Sequence, residues 1–313
     1  MALRIVIGDV TIGIQGQDFA YIFSVGMGGM ESLYKDGKEW LYRSPRPAFW
    51  RAATDNDRGN GFAFRSAVWS AADRFVRCIK VTARMDGQEI GIPPAPENNK
   101  YNGSETCNRF EITYTYETPT VPVTEVTVGY LVEADGRIHV QVDYHGRQGL
   151  PELPVLGLRF LMPTAAEGYT YEGLSGETYP DRMAGGISGT YEVQGMPVAP
   201  YLVPQDCGMH MQTKWVEITR KTSLDNTDHA GMESRLKVIA EEGKTFAFSC
   251  LPYTAQELEN ALHQEELPPA RRTVLSVLGA VRGVGGIDSW GADVEPPYHI
   301  SGEQDLSYGF WIE

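Results

Sequence analysis

Cysteine is scarce in this sequence, and the few cysteines are far apart. Four occur among 313 residues, and no two of them form a CxxC pair. This spacing excludes the common zinc-binding and thioredoxin-like motifs. Because disulfides are rare in reducing compartments, we expect free thiols in a cytoplasmic protein. The cysteines are at positions 78, 107, 207 and 250.

Long hydrophobic runs are also missing. No stretch approaches the ~20 consecutive apolar residues of a membrane-spanning helix. The apolar run near the N-terminus, Ile5–Ile7, is too short for a signal peptide. We therefore expect a cytoplasmic protein without a membrane segment.

Positive charge is in short supply. Lysine and arginine number 27 against 41 acidic residues, which gives a formal net charge of −14. Proteins that follow phosphate backbones or anionic membrane surfaces need the opposite balance, so we predict neither nucleic acid nor a membrane as a partner. The histidines show no metal-ligand spacing, and we predict no metal on this chain. They are at positions 139, 145, 210, 229, 263 and 299.

Turn residues and alternating segments are abundant instead. The chain has 34 glycines and 19 prolines, which favour turns over long helices. Residues 109–116 alternate polar with apolar side chains, and 137–144 repeat the pattern after a tight-turn signal at Asp135-Gly136. Strands at this density indicate an all-β sandwich or barrel. We predict strands at 3–8, 20–25, 76–85, 109–116, 121–130, 137–144, 155–162, 191–194, 214–220, 234–240, 244–250, 273–281 and 297–311.

Only two segments have a helical pattern. Apolar residues from Phe64 to Phe75 form one stripe at helical spacing. Thr254 and Glu257 form a capping box ahead of a second stripe. Both stripes are typical of packing faces. The prediction is therefore an all-β fold with one or two short helices.

Nothing in the chain indicates a division into domains. We find no internal repeat, no low-complexity tract and no long polar linker. We therefore predict a single domain over residues 1–313. The proline-rich stretch at 92–96 is predicted to be a surface loop within it.

The usual phosphate, nucleotide and calcium motifs fail at their key positions. Val238 stands where a P-loop ending at Thr245 needs its first glycine. Asp288 occupies the last glycine position of a dinucleotide fingerprint that would start at Gly283. Ser66 falls where a calcium loop in the aspartate-rich segment before it would need a bidentate glutamate. The sequence therefore does not support any of these three functions.

Three polar stretches stand out, at residues 47–61, 173–182 and 283–291. Taken alone, the first two are better explained as turns in which Asp and Asn cap the backbone. The third places Trp290 on a glycine-rich loop, which is unusual for a core residue. Aromatic rings stack on sugar rings, and Asp, Asn and Arg bind hydroxyl groups. The pattern indicates carbohydrate contact, with a core tryptophan as the competing interpretation.

The same three stretches resemble the signatures of one family. Phe49–Gly59 is similar to the FWRAxTDNDxG signature of the β-galactosidase small chain, which is equivalent to the C-terminal domain of single-chain family 2 β-galactosidases. Leu174–Arg182 resembles the GExYPDR segment, and Gly283–Gly291 resembles the GVGGxDSWG ending. The three motifs occur in the family's order, and the resemblance runs from about residue 5 to the C-terminus.

The resemblance implies a β-supersandwich of the galactose-mutarotase-like type. It also implies that the two catalytic glutamates of this retaining glycosidase lie on the TIM barrel of a large chain. The magnesium and sodium sites of the family belong to that barrel as well. This chain would then carry no catalytic residue and no cofactor, and would assemble with the large chain to hydrolyse β-galactosides such as lactose.

The resemblance further implies where the sugar is bound. Trp290 corresponds to a stacking platform at the mouth of the pocket, and residues 57–61 correspond to a mobile loop beside it. The substrate-binding residues implied in this way are Trp290, Asp57, Arg58, Gly59, Asn60, Asp288 and Ser289.

Two other functions stay open at this point. A stand-alone aldose mutarotase would need a general base and a general acid, usually Glu and His, and His210 is the candidate histidine. The chain could also be a carbohydrate-binding C-terminal fragment of a longer single-chain β-galactosidase. Met1 directly before strand-like sequence favours a natural start over such a fragment.

Overall fold

A computed structural model describes residues 2–92, 101–224 and 233–313. Most of the proline-rich stretch, residues 93–96, lies outside these ranges, as does His229. Strands dominate the described residues, and every pair of neighbouring strands recorded there is antiparallel. The predicted all-β fold is confirmed.

The strands, numbered in chain order, are β1 Leu3–Ile7, β2 Thr11–Gln15, β3 Phe19–Ser24, β4 Gly29–Lys35, β5 Lys38–Glu39, β6 Arg43–Ala48, β7 Arg77–Met85, β8 Gln88–Ile90, β9 Thr106–Cys107, β10 Arg109–Glu117, β11 Glu125–Glu133, β12 Ile138–Tyr144, β13 Val155–Met162, β14 Gly168–Leu174, β15 Ser188–Gln194, β16 Met209–Thr213, β17 Trp215–Arg220, β18 Ser234–Ala240, β19 Phe246–Leu251, β20 Thr273–Val281 and β21 Leu306–Ile312. The helices are α1 Asp55–Gly59, α2 Phe62–Arg65, α3 Val68–Phe75 and α4 Ala255–Asn260, with short 3-10 turns at Gln264–Glu266 and Pro296–Tyr298.

The strands form three sheets. A six-stranded sheet has the order β5-β4-β3-β2-β1-β9, and a ten-stranded sheet has the order β15-β14-β17-β18-β21-β12-β11-β10-β7-β8. A five-stranded sheet has the order β16-β19-β20-β13-β6. One cluster of buried side chains includes residues from all three sheets, so they share a core.

The burial pattern of each strand shows where its sheet lies. In β10, β11 and β12 every second side chain is buried, as expected for a sheet with one face on the core. In β19 all six residues are buried, and in β13 only Leu161 is partly exposed. The five-stranded sheet is therefore covered on both faces, and its strands consist mostly of apolar residues.

The structure has more helix than predicted. It contains four short α-helices in the described residues rather than one or two. The capping box of α4 is present, with Thr254 and Glu257 each satisfying the other's backbone N–H. The predicted stripe is a packing face only in its middle, where Val68 and Ala72 contact the core, because the rings of Phe64 and Phe75 at its ends are 87% and 65% exposed. The buried side of α3 also includes Trp69, which the stripe did not contain.

The strand predictions fail mainly where alternation is weak. The predicted strand at 121–130 begins only at Glu125, and that at 297–311 begins at Leu306. The strands that the sequence did not indicate are β2, β4, β5, β6, β8, β9, β14 and β16. Several of them are short or carry glycine and proline, which weaken the propensity signal.

The cysteines and the helices bear on two further predictions. All four cysteines are free; Cys107, Cys207 and Cys250 are buried, whereas Cys78 is partly exposed. No helix in the described ranges is long and apolar enough to cross a membrane. The single-domain organisation stays a prediction.

Candidate functional site

The three stretches singled out in the sequence meet in space. Asn56 of α1 donates a side-chain hydrogen bond to the carbonyl oxygen of Val284, at 3.0 Å. The Asp181 carboxylate accepts hydrogen bonds from the backbone N–H groups of Val284 and Gly285, the latter at 2.7 Å. Arg182 donates to the carbonyl oxygen of Gly285. Segments that are more than 100 residues apart in the chain therefore form one surface.

Helix α1 begins with a reciprocal capping box. The Thr54 hydroxyl accepts from the backbone N–H of Asp57, whose carboxylate accepts from the Thr54 backbone N–H at 2.9 Å. The same carboxylate forms a two-pronged ion pair with Arg51, with N···O distances of 2.5 and 3.3 Å. Arg51 also donates to the carbonyl oxygen of Gly283 at 3.2 Å. Through Arg51, α1 is therefore connected to the start of the segment that carries Trp290.

The prediction of Asp57 as a sugar contact is wrong. Its side chain is 1% exposed, and both carboxylate oxygens are occupied by Arg51, Thr54 and Arg282. A buried carboxylate is stable only when it is paired and hydrogen-bonded in this way. Asp57 therefore stabilises the base of the site and does not face a ligand.

Arg282 is the centre of a second set of ion pairs. It is fully buried and contacts Glu152 at 3.0 Å, Asp57 at 3.6 Å and Asp293. Its guanidinium group also lies over the ring of Phe62, 3.8 Å from the centroid. Because Asp293 follows Trp290 by three residues, these contacts anchor the C-terminal end of the Trp290 loop.

The Trp290 loop itself is held by an Asx turn. The Asp288 carboxylate accepts from the backbone N–H groups of Trp290 at 2.9 Å and Ala292 at 3.1 Å. These hydrogen bonds lower the pKa of Asp288, and the one from Ala292 has the largest effect. Gly291 has φ +90°, and a Cβ placed there would lie 3.0 Å from the Gly59 carbonyl oxygen. The loop therefore touches the end of α1.

Trp290 projects into solvent from this anchored loop. Its side chain is 91% exposed, and the neighbouring Ile287 is 62% exposed. The interpretation of Trp290 as a core residue is therefore wrong. Its role as a sugar platform stays a prediction.

The other predicted site residues lie in α1, at its C-cap and in the Trp290 loop. Arg58 is partly buried and pairs with Asp55 at 3.4 Å and Glu259 at 3.9 Å. The Asn60 amide donates to Asp293 at 3.2 Å, while Gly59 and Ser289 are exposed. Their contacts with substrate stay predictions.

The segment 57–61 is not an irregular loop in this structure. Its first three residues complete α1, and Asn60 forms the C-cap of that helix. Gly61, at φ +76°, turns the chain into α2. The mobility expected for residues 57–61 stays a prediction.

A cavity of about 530 Å³ lies beside α1, and sequence reasoning did not anticipate it. Gln205 belongs to its wall, where its side-chain oxygen accepts from the Asp55 backbone N–H at 2.7 Å. Asn56 and Arg182 lie within the recognised motifs but are not among the predicted site residues. Tyr201 and Gln205 lie in a segment that carries no recognisable sequence motif. The lining residues are Thr54, Asp55, Asn56, Glu177, Tyr179, Arg182, Tyr201, Gln205, Asp206 and Val284.

One carboxyl group in this cavity has an altered acidity. Burial raises the pKa of Asp206 to about 6, against the opposing effects of the Arg51 charge and of a hydrogen bond from the Tyr179 hydroxyl. The Tyr179 hydroxyl donates to Asp206 at 2.8 Å. On the other side of Arg182 lies a smaller cavity of about 200 Å³, whose lining includes Ile287.

The family is established by comparison with known sequences. Residues 15–312 match the family described as "Beta galactosidase small chain". The chain belongs to the β-galactosidase small-chain family. The predicted family is thereby confirmed, and the three recognised motifs of the small chain are those that meet around α1.

Relatives of this small chain fall into two length classes. The chain is 60% identical to a "Beta-galactosidase small subunit" of Latilactobacillus sakei, with 99% of this chain and 97% of that protein covered. It is 33% identical to a "Beta-galactosidase" of Streptococcus thermophilus, covering 99% of this chain but 28% of that protein. Among solved structures, a galactose mutarotase-like protein from Lactobacillus casei aligns over 97% of this chain and 99% of its own, with a TM-score of 0.41 and 10% identity.

The chemistry available at this site of the small chain is that of hydrogen bonding and stacking. Asn56, Arg182 and Gln205 offer amide and guanidinium groups, and Asp55 and Glu177 offer carboxylates, all at one cavity. Groups of this kind bind sugar hydroxyls. No group of three or more metal-ligating side chains with suitable geometry occurs in residues 2–92, 101–224 and 233–313.

His210 is not placed for mutarotase chemistry. It is buried, its ring is stacked with that of Phe248, and its Nε2 lies 3.0 Å from the Tyr169 hydroxyl. Burial lowers the pKa of His210 to about 4, so the ring is neutral at pH 7. These contacts are typical of a core histidine, and the mutarotase alternative is not favoured.

Proposed function

We propose that this chain is the small subunit of a two-chain β-galactosidase and forms one wall of its active-site pocket. The catalytic glutamates, the magnesium and the sodium would be supplied by the large chain. The substrate would be a terminal β-D-galactoside such as lactose, and the assembled enzyme would act in the cytoplasm. The observation that carries this proposal is the exposure of Trp290 on a loop that the rest of the chain anchors firmly.

The anchoring matters because a stacking platform must keep its position when the partner binds. The loop is attached to α1 by Asn56 and at its far end by the Arg282–Asp293 ion pair. An exposed indole held in this way loses little conformational freedom on binding a sugar ring. Stacking contacts of this kind contribute about 0.5–1.5 kcal/mol beyond the area that they bury.

The cavity beside α1 would supply contacts with the hydroxyl groups of the galactoside or of its aglycone. Asn56 and Gln205 are already oriented by their own hydrogen bonds to Val284 and to the Asp55 backbone. Side chains that are fixed before binding discriminate between sugars better than mobile ones, because less entropy is lost on binding.

The division of labour can be tested by reconstitution. The isolated chain should show no hydrolysis of a chromogenic β-galactoside above background, because the catalytic carboxylates belong to the partner. Adding the large chain from the same organism should restore turnover, with both chains eluting together in size-exclusion chromatography. Robust hydrolysis by the small chain alone would overturn the proposal.

A related alternative is that the chain is the C-terminal part of a longer single-chain enzyme, as in the relatives of which it spans only about a quarter. The two cases differ in the reading frame upstream of Met1 and in assembly. A separately encoded large chain that co-purifies supports the two-chain enzyme, and a continuous upstream frame supports the fragment.

A further inference from the structure

A second concavity, larger than the cavity beside α1, lies away from Trp290. It is an open groove of about 780 Å³. It is lined by residues of β4, β6 and β13, the end of α3, the start of α4 and the segments before β4, before β6 and before β20. We call this the arginine groove. Its lining residues are Met27, Glu31, Tyr42, Arg43, Ser44, Arg46, Pro47, Asp73, Arg74, Phe75, Arg159, Leu161, Thr254, Gln256, Glu257 and Arg272.

The charge of the arginine groove is opposite to that of the whole chain. Five of its lining residues are arginines and three are acidic, whereas the formal charge of the chain is −14. Two of the acids are already used, since Asp73 pairs with Arg159 at 2.7 Å and Glu257 pairs with Arg272. A local excess of positive charge on an acidic protein attracts an acidic partner.

Two of the arginines are free to meet such a partner. Arg43 and Arg74 are exposed and form no ion pair among the described residues. Their guanidinium groups lie over the exposed rings of Tyr42 at 5.7 Å and Phe75 at 5.5 Å. Each guanidinium group is therefore supported by an exposed ring.

The composition of the groove is that of a protein interface. It contains arginine but no lysine, and its most exposed apolar residues are Met27, Tyr42 and Phe75, which are 66%, 51% and 65% exposed. Protein–protein interfaces are enriched in arginine, aromatic residues and methionine, and are depleted in lysine. A groove of about 780 Å³ is larger than a small anion fills, and this volume suits a polypeptide segment.

Helix α4 contributes residues both to the groove and to the site around α1. Gln256 and Glu257 of α4 line the groove, while Glu259 of the same helix accepts from the Ala53 backbone N–H at 2.5 Å and lies 3.9 Å from Arg58. A partner that covers α1 and α4 therefore reaches the groove without leaving the surface of the chain.

We propose that the arginine groove binds an acidic segment of the β-galactosidase large chain, one that also carries apolar side chains. This inference rests on the proposed function, since it takes the large chain as the partner. The inference goes further than that function in two respects. It names a second surface, outside the sugar site, at which the two chains meet, and it names the side chains of the small chain that attract the acidic segment.

The test is a charge reversal of the two free arginines. We expect Arg43→Glu combined with Arg74→Glu to raise the dissociation constant for the large chain at least tenfold at low salt. The milder pair Arg43→Gln and Arg74→Gln should give a smaller increase. For the wild type, affinity should fall as sodium chloride is raised, and the reversed variant should lose most of that dependence. Association is measured by interferometry or calorimetry, with the melting temperature recorded for each variant.

A matched control changes the net charge equally but elsewhere. Arg84→Glu with Arg147→Glu alters two exposed arginines outside the groove, and the dissociation constant should stay within about threefold of wild type. Unchanged affinity of the groove variant, or an equal loss in the control, would overturn the groove assignment while leaving the subunit function intact. Absence of any association or turnover with the wild-type chain would instead remove the proposed function.

Discussion

The ten-stranded sheet and the region around α1 are held together in opposite ways. In β10 and β11 the buried positions are apolar or aromatic, such as Phe110, Ile112 and Val128. Around α1 the buried groups are charged, and Arg51, Asp57 and Arg282 are each at most 3% exposed. A sheet of the first kind tolerates changes of shape that keep the apolar volume. A cluster of the second kind depends on each partner, because a buried charge left without its partner is very costly.

The largest effect is expected from removing one charge in the α1 cluster. Asp57→Asn keeps the size of the side chain but leaves Arg51 and Arg282 without their shared carboxylate. We expect the free energy of unfolding to fall by about 3–5 kcal/mol. Urea denaturation followed by circular dichroism measures this change.

The controls for that variant sharpen the comparison. Asp55→Asn, at an exposed position of the same helix, should cost about 0.5 kcal/mol or less. Ile112→Val, in the core of β10, should cost about 0.5–1.5 kcal/mol. If Asp57→Asn costs no more than Ile112→Val, the two regions do not differ in the way described.

A smaller effect should appear as a change of stability with pH. The folded pKa of Asp206 is about 6, above the ordinary value of about 3.9 for the unfolded chain. The folded state therefore holds this proton more tightly, and the resulting stability is lost as pH rises from about 4 through 6. Relative to wild type, Asp206→Asn should gain up to about 3 kcal/mol between pH 4 and pH 7. The difference for Ile112→Val should be constant over that range, and a constant difference for Asp206→Asn would contradict the assignment.

The next effect should be kinetic and concerns two tryptophans. Trp290→Ala in the assembled enzyme should raise KM about tenfold or more, equivalent to about 1.4 kcal/mol, and leave Tm nearly unchanged. Trp290→Phe should recover part of the loss. Trp69→Ala removes a fully buried ring and should instead lower stability by about 3–5 kcal/mol. A large drop in Tm for Trp290→Ala without a change in KM would argue against the platform.

A small effect on stability is expected at Gly59. A Cβ at this position meets nothing within 4 Å, and its φ is ordinary, so Gly59→Ala should change stability by less than about 1 kcal/mol. Turnover of the assembled enzyme should change more than folding does. Gly291→Ala is the matched variant, and it should be destabilising because φ is +90° and the Gly59 carbonyl oxygen is 3.0 Å from the new Cβ. Equal stability of the two variants would show that the Gly291 contact is unimportant.

The parts of the fold that could be predicted are those in which neighbouring residues carry the pattern. The alternation in residues 109–116 and 137–144 requires a strand with one buried face, and both strands are present within one residue. Helix α1 was missed because five residues are too few to show a helical period. Its capping box has Asp57 at the third position instead of the usual Glu or Gln.

The candidate site was predictable in part for a different reason. Its motifs are recognisable as strings of letters, and they led to Trp290, whose exposure agrees with the role expected for it. The same strings assigned Asp57 to the ligand, because a motif does not show which of its side chains face inward. Tyr201 and Gln205 belong to the cavity wall without belonging to any motif.

By itself, then, the sequence determined the family, the all-β class, the strands with strong alternation and the importance of the three motif stretches. These properties depend on residue types and on their spacing along the chain. Only the tertiary structure decided which charged groups are buried as partners and which remain at the surface. Arg51, Asp57 and Arg282 come together across more than 200 residues of chain, and the burial of each depends on the others. The tertiary structure also decides which arginines of the arginine groove are free. Asp73 pairs with Arg159 and Glu257 pairs with Arg272, so neither acid is left to pair with Arg43 or Arg74.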